Sequence, residues 1–288
     1  MLEVVEYTDP ACPWAWGSEP RLRWLRLRLA PLPHRWRRVF GILFDDDEEP
    51  APDPAAEAAW YAGFIAEVAG HTGAPHAGGL SWLTRSSLPA SLAAKAAEAQ
   101  GPEVAERVLR RLRESTFLRG TPADDEAGVL AAVAGVPGLD TARLRADLVA
   151  AATREAVLAD RAETRRPDPS VLALRAPGPH SGRAKEIDGG VRYALPTLVF
   201  SGPDGRVIVA GWRPLSDYVA AVRAVSGHVL DPTPPLTARD ALRHFETLSL
   251  PELHLLTGGT EPPAGGVLTQ TANGPLWTDG RTFQRPVQ

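Results

Sequence analysis

The sequence has a single cysteine and a single methionine among its 288 residues. One thiol cannot close an internal disulfide, so the chain is not a disulfide-stapled secreted scaffold, and its cysteine usage fits a reducing compartment. The roles left for Cys12 are packing, nucleophilic chemistry or a bond to another molecule. An excess of charge is also missing: 31 Lys and Arg stand against 35 Asp and Glu, a net charge of -4. No global field therefore draws the chain to nucleic acid or to an anionic membrane. No stretch approaches the roughly 20 apolar residues that a membrane span needs. The first residues show no charged leader, apolar run and small-residue cleavage site in succession. The expectation is a cytoplasmic protein that engages neither nucleic acid nor membrane. Metal-ligand spacing is lacking too. His71 and His76 in "GHTGAPHAGG" have no cysteine or carboxylate company, and the acidic run "DDDEEP" beginning at Asp45 reads as a solvated turn.

What is present is enough apolar material for a substantial core, 44% of the chain. "LEVVEYTD" from Leu2 to Asp9 is rich in β-formers and stops at Asp9-Pro10, which predicts a buried strand ending just before the cysteine. From Ser18, "SEPRLRWLRLRLA" places Leu22, Leu25 and Leu29 on one side and arginines on the other. That is an amphipathic helix with Ser18 as its candidate cap. "HRWRRVFGILF", His34 to Phe44, reads as a second strand. Residues 54 to 174 are almost wholly helical in pattern, Ala- and Leu-rich segments punctuated by Gly and Pro. "RAPGPHSGRAKEIDGG", Arg175 to Gly190, reads as a loop returning the chain to a sheet. "ALPTLVFSGPDGRVIVAGW" then forms a β-hairpin, and "LSDYVAAVRAV" a helix capped at Ser216. Beyond "DPTPPLT" come two helices, "ARDALRHFETL" and "SLPELHLLTG", and a terminal hairpin around "GPLWTDGRTFQRP".

This order, with "DPACPWAW" and "ALPTLVF", resembles the DsbA family of thioredoxin-like proteins. Cys12, Pro13 and Trp14 match the start of that family's C-P-W-C motif, and Pro196 matches its cis-proline. The insertion resembles it in "SSLPASLAAKAAEAQG" and "TFLRGTPADD". The resemblance covers roughly residues 1 to 226. It implies an α/β thioredoxin-like fold with a large helical insertion and a small C-terminal appendage. The expected division is 1-54 and 175-226 for the thioredoxin-like domain, 55-174 for the insertion and 236-288 for the appendage, the last weakly resembling a degenerate winged helix. Ala15 stands where the family has its resolving cysteine, and no other thiol replaces it. Dithiol exchange within the chain is therefore chemically impossible.

If the helix already begins after Pro13, Cys12 sits at its N-terminus, where unpaired backbone N–H groups are expected to lower its pKa. Such a thiolate can add to a conjugated C=C, allow rotation and leave again. The leading reading is thus a cis/trans isomerase of a polyene or enone substrate, either a small molecule or carried on a carrier protein, with Cys12 catalytic and no cofactor. The kappa glutathione transferase and chromene-carboxylate isomerase families, also thioredoxin-like and without the thiol pair, make this chemistry compatible with the resemblance. Two alternatives stand beside it: a monothiol oxidoreductase or transferase that uses a low-molecular-weight thiol, and a non-catalytic adaptor. Pro13, Trp14, Trp16, Leu195 and Pro196 are the expected substrate-binding residues. Arginines from Arg21 to Arg38 form either a solvated face or a docking patch for an acidic partner. A lid or a dimer contact is the expected role of the appendage.

Overall fold

β1 (Leu2–Thr8) is buried on both faces, which is why "LEVVEYT" lacks strict alternation. In this computed structural model, which describes residues 1–45 and 52–280, β1 pairs in parallel with β2 (His34–Phe40), from Leu2 opposite His34 to Thr8 opposite Phe40. Its other edge pairs antiparallel with β5 (Thr197–Gly202), which continues to β6 (Gly205–Ala210). The sheet order is β2-β1-β5-β6. The chain has a thioredoxin-like α/β fold.

The crossover between β1 and β2 is α1 (Pro13–Leu29), whose cap is Cys12, six residues before the Ser18 expected. Pro13 takes the first helical position, where its fixed φ suits a helix and its missing N–H is no loss. Cys12 is the extended residue before it. Ser18 lies inside the helix, its hydroxyl donating to the Trp14 carbonyl at 2.8 Å. Leu22, Leu25 and Leu29 are fully buried, as the periodicity predicts.

The helical stretch resolves into α2 (Pro54–Thr72), α3 (Leu88–Glu98), α4 (Pro102–Arg119), α5 (Glu126–Ala132), α6 (Thr141–Leu148) and α7 (Ala151–Thr164). Asp53, Asp125 and Asp140 cap three of them by accepting from backbone N–H groups of the first turn. Ala93, Ala97, Val108, Leu112, Val129 and Leu144 form a core of their own, which Phe40 of β2 joins. Small alanines let α3 and α4 approach closely there.

The expected return loop contains a ribbon, β3 (Lys185–Ile187) and β4 (Gly190–Arg192). Strands of three residues carry too little pattern to be read from the sequence. α8 (Leu215–Ser226) begins after Pro214 rather than with a Ser216 cap. The appendage is α9 (Ala238–Phe245), β7 (Thr247–Ser249), α10 (Leu250–Thr257), β8 (Val267–Thr271) and β9 (Gly274–Thr278), its sheet ordered β7-β9-β8. α9 is shorter than expected because Glu246 turns the chain with φ 62 and the next three residues pair with β9. The terminal hairpin is formed by β8 and β9. The part of the expected hairpin beyond residue 280, and residues 46–50 of the expected acidic turn, lie outside the described residues.

Leu242, Leu248, Leu253, Leu256 and Trp277 of the appendage share one core with Leu22, Trp24 and Leu25 of α1 and with Tyr218 and Val222 of α8. Charge ties the same parts together. Arg23, only 2% exposed, donates to the Thr247 carbonyl at 3.0 Å and pairs with Glu252 at 2.9 Å. Arg110 of α4 bridges Glu114 and Glu252, both at 2.8 Å. Arg113 is buried against Glu19 and donates to the Thr8 hydroxyl at 2.6 Å. Arg26 and Arg38 close on Glu6 and Glu106. Of the arginines expected as a solvated face or acidic-partner patch, Arg23, Arg26 and Arg38 instead hold the thioredoxin sheet, the insertion and the appendage to one another, whereas Arg35 is exposed and Arg21, Arg28 and Arg37 are partly so.

Candidate active-site cleft

Cys12 lies between the end of β1 and the start of α1, 4% exposed, with its sulfur 3.6 Å from the Leu195 carbonyl oxygen to which it donates. The Leu195–Pro196 peptide bond is cis, and that turn delivers Leu195 to the sulfur at the head of β5. Below them Asp9 is fully buried. Its carboxyl accepts from the N–H groups of Ala11 and Leu43, both at 2.8 Å, and from the Ser87 hydroxyl at 2.9 Å. The Tyr61 hydroxyl donates to the Ala11 carbonyl at 3.0 Å, pinning α2 to the loop that carries the cysteine.

Burial dominates the electrostatics. It pushes the Cys12 thiol up to about 11, against the N–H groups of Ala15 and Trp14, which favour the thiolate, and with the Asp9 carboxyl adding to the rise. The lowered pKa expected at a helix N-terminus is therefore corrected: the amides are in place, but loss of water outweighs them. The thiol is therefore protonated at neutral pH. Burial raises the Asp9 carboxyl and the Tyr61 phenol in the same way.

The thiol borders a cleft of about 1360 Å³. It is lined by Trp60, Tyr61 and Phe64 of α2, by Lys185 and Arg192 of the β3–β4 ribbon, and by Pro13, Trp14 and Leu195 beside Cys12. Trp60 and Trp82 are exposed at the rim, 68% and 40%. Such a hollow, mostly apolar with a few polar groups, suits a ligand or an inserted segment.

Of the expected substrate-binding residues, Pro13, Trp14 and Leu195 border the cleft. Trp16 does not. It faces the other side of α1, stacked on Phe117 with Arg110 over its ring, its Nε1 donating to the Pro75 carbonyl at 2.9 Å. Pro196 positions Leu195 without itself bordering the cleft. Sequence reading missed His180, which does border it. The His180 ring packs edge-on against Trp14 with centroids 5.0 Å apart, and its Nδ1 accepts from the Gly182 N–H at 3.3 Å. Burial and the nearby Lys185 push it down to about 4, so it is a neutral imidazole at physiological pH. No local motif marked it, because its neighbours are glycine, proline and serine of an irregular loop. Arg213 fixes that loop by donating to the carbonyls of Pro177, His180 and Ser181. His71 stacks on Trp14 with centroids 6.1 Å apart, and His76 is buried, accepting from Gly78 N–H. Neither borders the cleft. Among the described residues no group of three or more His, Cys, Asp or Glu is placed to hold a metal ion, and no helix is long and apolar enough to cross a membrane.

The sequence model of the thioredoxin family matches residues 66–166. The solved structure of a candidate protein disulfide isomerase from Nitrosomonas europaea superposes with a TM-score of 0.55 at 15% identity, over 77% of this chain and 94% of its own. The chain therefore has a thioredoxin-like fold, with a single cysteine. A candidate DsbA oxidoreductase from Streptomyces coelicolor gives a TM-score of 0.50 at 18% identity, over 78% of this chain and 90% of its own. Among curated proteins, the chain is similar to the ClpXP adapter protein SpxH of Shouchella clausii, 28% identical over 263 residues, 88% of this chain and 77% of that one.

Proposed function

We propose that this thioredoxin-like chain is a protein-binding adapter that holds a segment of a client protein in the cleft beside Cys12 and presents that client to the ClpXP protease. The observation that carries the reading is the state of the thiol. Cys12 is buried, protonated and hydrogen-bonded to the Leu195 carbonyl, beside a cleft far larger than one thiol requires. With no second thiol in the chain, a resting thiol of this kind packs and accepts a neighbour more readily than it attacks. The similarity to a ClpXP adapter along 88% of the chain supports the same reading. The setting proposed is the cytoplasm, with no metal or cofactor.

Turnover of host proteins tests it. In cells lacking this chain, at least one protein should gain a several-fold longer half-life, and the same protein should be stabilised in cells lacking the protease. If removal of the chain changes no half-life, the adapter reading fails.

A single-thiol enzyme is the second reading, favoured by the position of Cys12 on the cleft. There the sulfur would add to a conjugated C=C of a polyene or enone and be expelled after rotation, or it would exchange with a small-thiol disulfide, releasing one thiol and forming a mixed disulfide that a second small thiol resolves. Both routes need the thiolate, so a bound substrate would first have to offset a pKa of about 11.

A further inference from the structure

The β3–β4 ribbon sets Lys185 directly opposite Arg192. Two like charges at facing positions of a two-stranded ribbon repel each other and weaken the pairing. Among the described residues neither makes an ion pair, and the one hydrogen bond of the Arg192 guanidinium runs from Nη1 to the Tyr193 carbonyl at 2.9 Å. Other charges along the cleft are matched. Arg85 pairs with Asp124 and Asp125, and Glu186 with Arg183. Lys185 and Arg192 remain, and Glu57 in the first turn of α2 also lines the cleft. Their charge reaches the site, since Arg192 favours ionisation of Cys12 and Asp9, and Lys185 disfavours protonation of His180.

The lining is of two kinds. The ribbon offers unmatched cations, whereas α2 offers an aromatic row in which Trp60 stacks on Phe64 with centroids 6.3 Å apart. An extended segment sends successive side chains to opposite sides. Lying in the cleft, it would offer one set to the cations and the alternate set to the rings.

We infer that Lys185 and Arg192 form a carboxylate-binding subsite of the cleft, and that its occupant is an extended segment of a partner protein in which acidic side chains alternate with aromatic or aliphatic ones. This rests on the adapter reading and names the chemistry of its client. The ribbon tolerates its internal repulsion because the segment's carboxylates relieve it.

The test uses the intact chain and a fluorescein-labelled octapeptide alternating glutamate and phenylalanine, followed by anisotropy, with a glutamine-for-glutamate peptide as control. The glutamate peptide should bind at least tenfold more tightly, and the preference should shrink on raising salt. Lys185→Gln with Arg192→Gln should abolish the preference, whereas Lys185→Arg with Arg192→Lys should keep it. Trp60→Ala should weaken both peptides alike. Equal affinity for the two peptides, absence of binding by both, or a preference that survives the double glutamine variant would overturn the inference. So would N-acetylglutamate matching the glutamate peptide in affinity, which would indicate a small carboxylate ligand. Neutralising Asp46, Asp47, Glu48 and Glu49 gives a further check. A tenfold gain in affinity for the glutamate peptide would show that the cations serve the chain's own acidic run, again overturning the inference. If the double glutamine variant still supports client turnover in cells, this subsite falls while the adapter reading stands.

Discussion

The sulfur of Cys12 and the carbonyl oxygen of Leu195 lie 3.6 Å apart, the thiol donating across the head of the cleft. The hydrogen bond exists only while the sulfur carries its proton. Everything that the site does in its resting state follows from which form of the thiol prevails.

Alkylation of Cys12 by iodoacetamide should therefore be slow at neutral pH and should rise about tenfold per pH unit without levelling off below pH 9, because burial holds the thiol near 11. A plateau below pH 8 would show a stabilised thiolate. The same shift acts on stability. A group whose pKa is higher in the folded than in the unfolded chain contributes fully below the unfolded value of 9.0 and loses that contribution as pH rises through about 11. The loss attributable to Cys12 is roughly 3 kcal/mol. Denaturant titrations of Cys12→Ala should show a correspondingly smaller decline over that window.

His180 works in the opposite direction. Its folded pKa of about 4 lies below the ordinary 6.5, so the unfolded chain binds the extra proton between those values. Stability from this group is present above pH 6.5 and is lost as pH falls toward 4. His180→Phe should flatten that part of the stability profile, and the His180 ring resonances should stay those of neutral imidazole at pH 6. Titration of the ring near 6.5 would contradict the burial argument.

Arg110 joins α4 to the appendage through Glu252 and Thr247. Arg110→Met should leave Glu252 buried with one partner fewer and cost about 3–5 kcal/mol in denaturant titrations. A change below about 1 kcal/mol would show that the ion network is dispensable.

Ala15 lies one helical turn from Cys12 and is fully buried. Ala15→Cys should restore a C-P-W-C pair, so that diamide oxidation removes both free thiols and lowers the intact mass by two hydrogens. Persistence of two free thiols would show that this site has lost the geometry for a disulfide as well as the residue.

Much of this architecture was legible in the sequence because its signals are local. The "LPT" step that sets Leu195 beside the sulfur, the leucine spacing of α1 and the "PDG" turn between β5 and β6 each depend on near neighbours. The start of α1 was misread because a serine with an apolar run after it resembles a cap, whereas Pro13 had already fixed the first turn. The state of the thiol was not legible. It depends on Asp9, Tyr61, Leu195 and His180 converging from four segments to exclude water, and burial of that kind leaves no spacing in the chain. The buried arginines were hidden for a similar reason: Arg23 shows its meaning only beside Glu252, more than two hundred positions away. The Lys185–Arg192 pairing likewise needed the register of two very short strands.

The most direct test of the central claim is the half-life of the client in cells where Cys12→Ser replaces the native chain. The adapter account predicts that the variant restores client turnover to within about twofold of the native chain, since serine keeps a hydrogen-bond donor toward Leu195. A half-life as long as in cells lacking the chain altogether would contradict it and place the chemistry of the sulfur at the centre of the function.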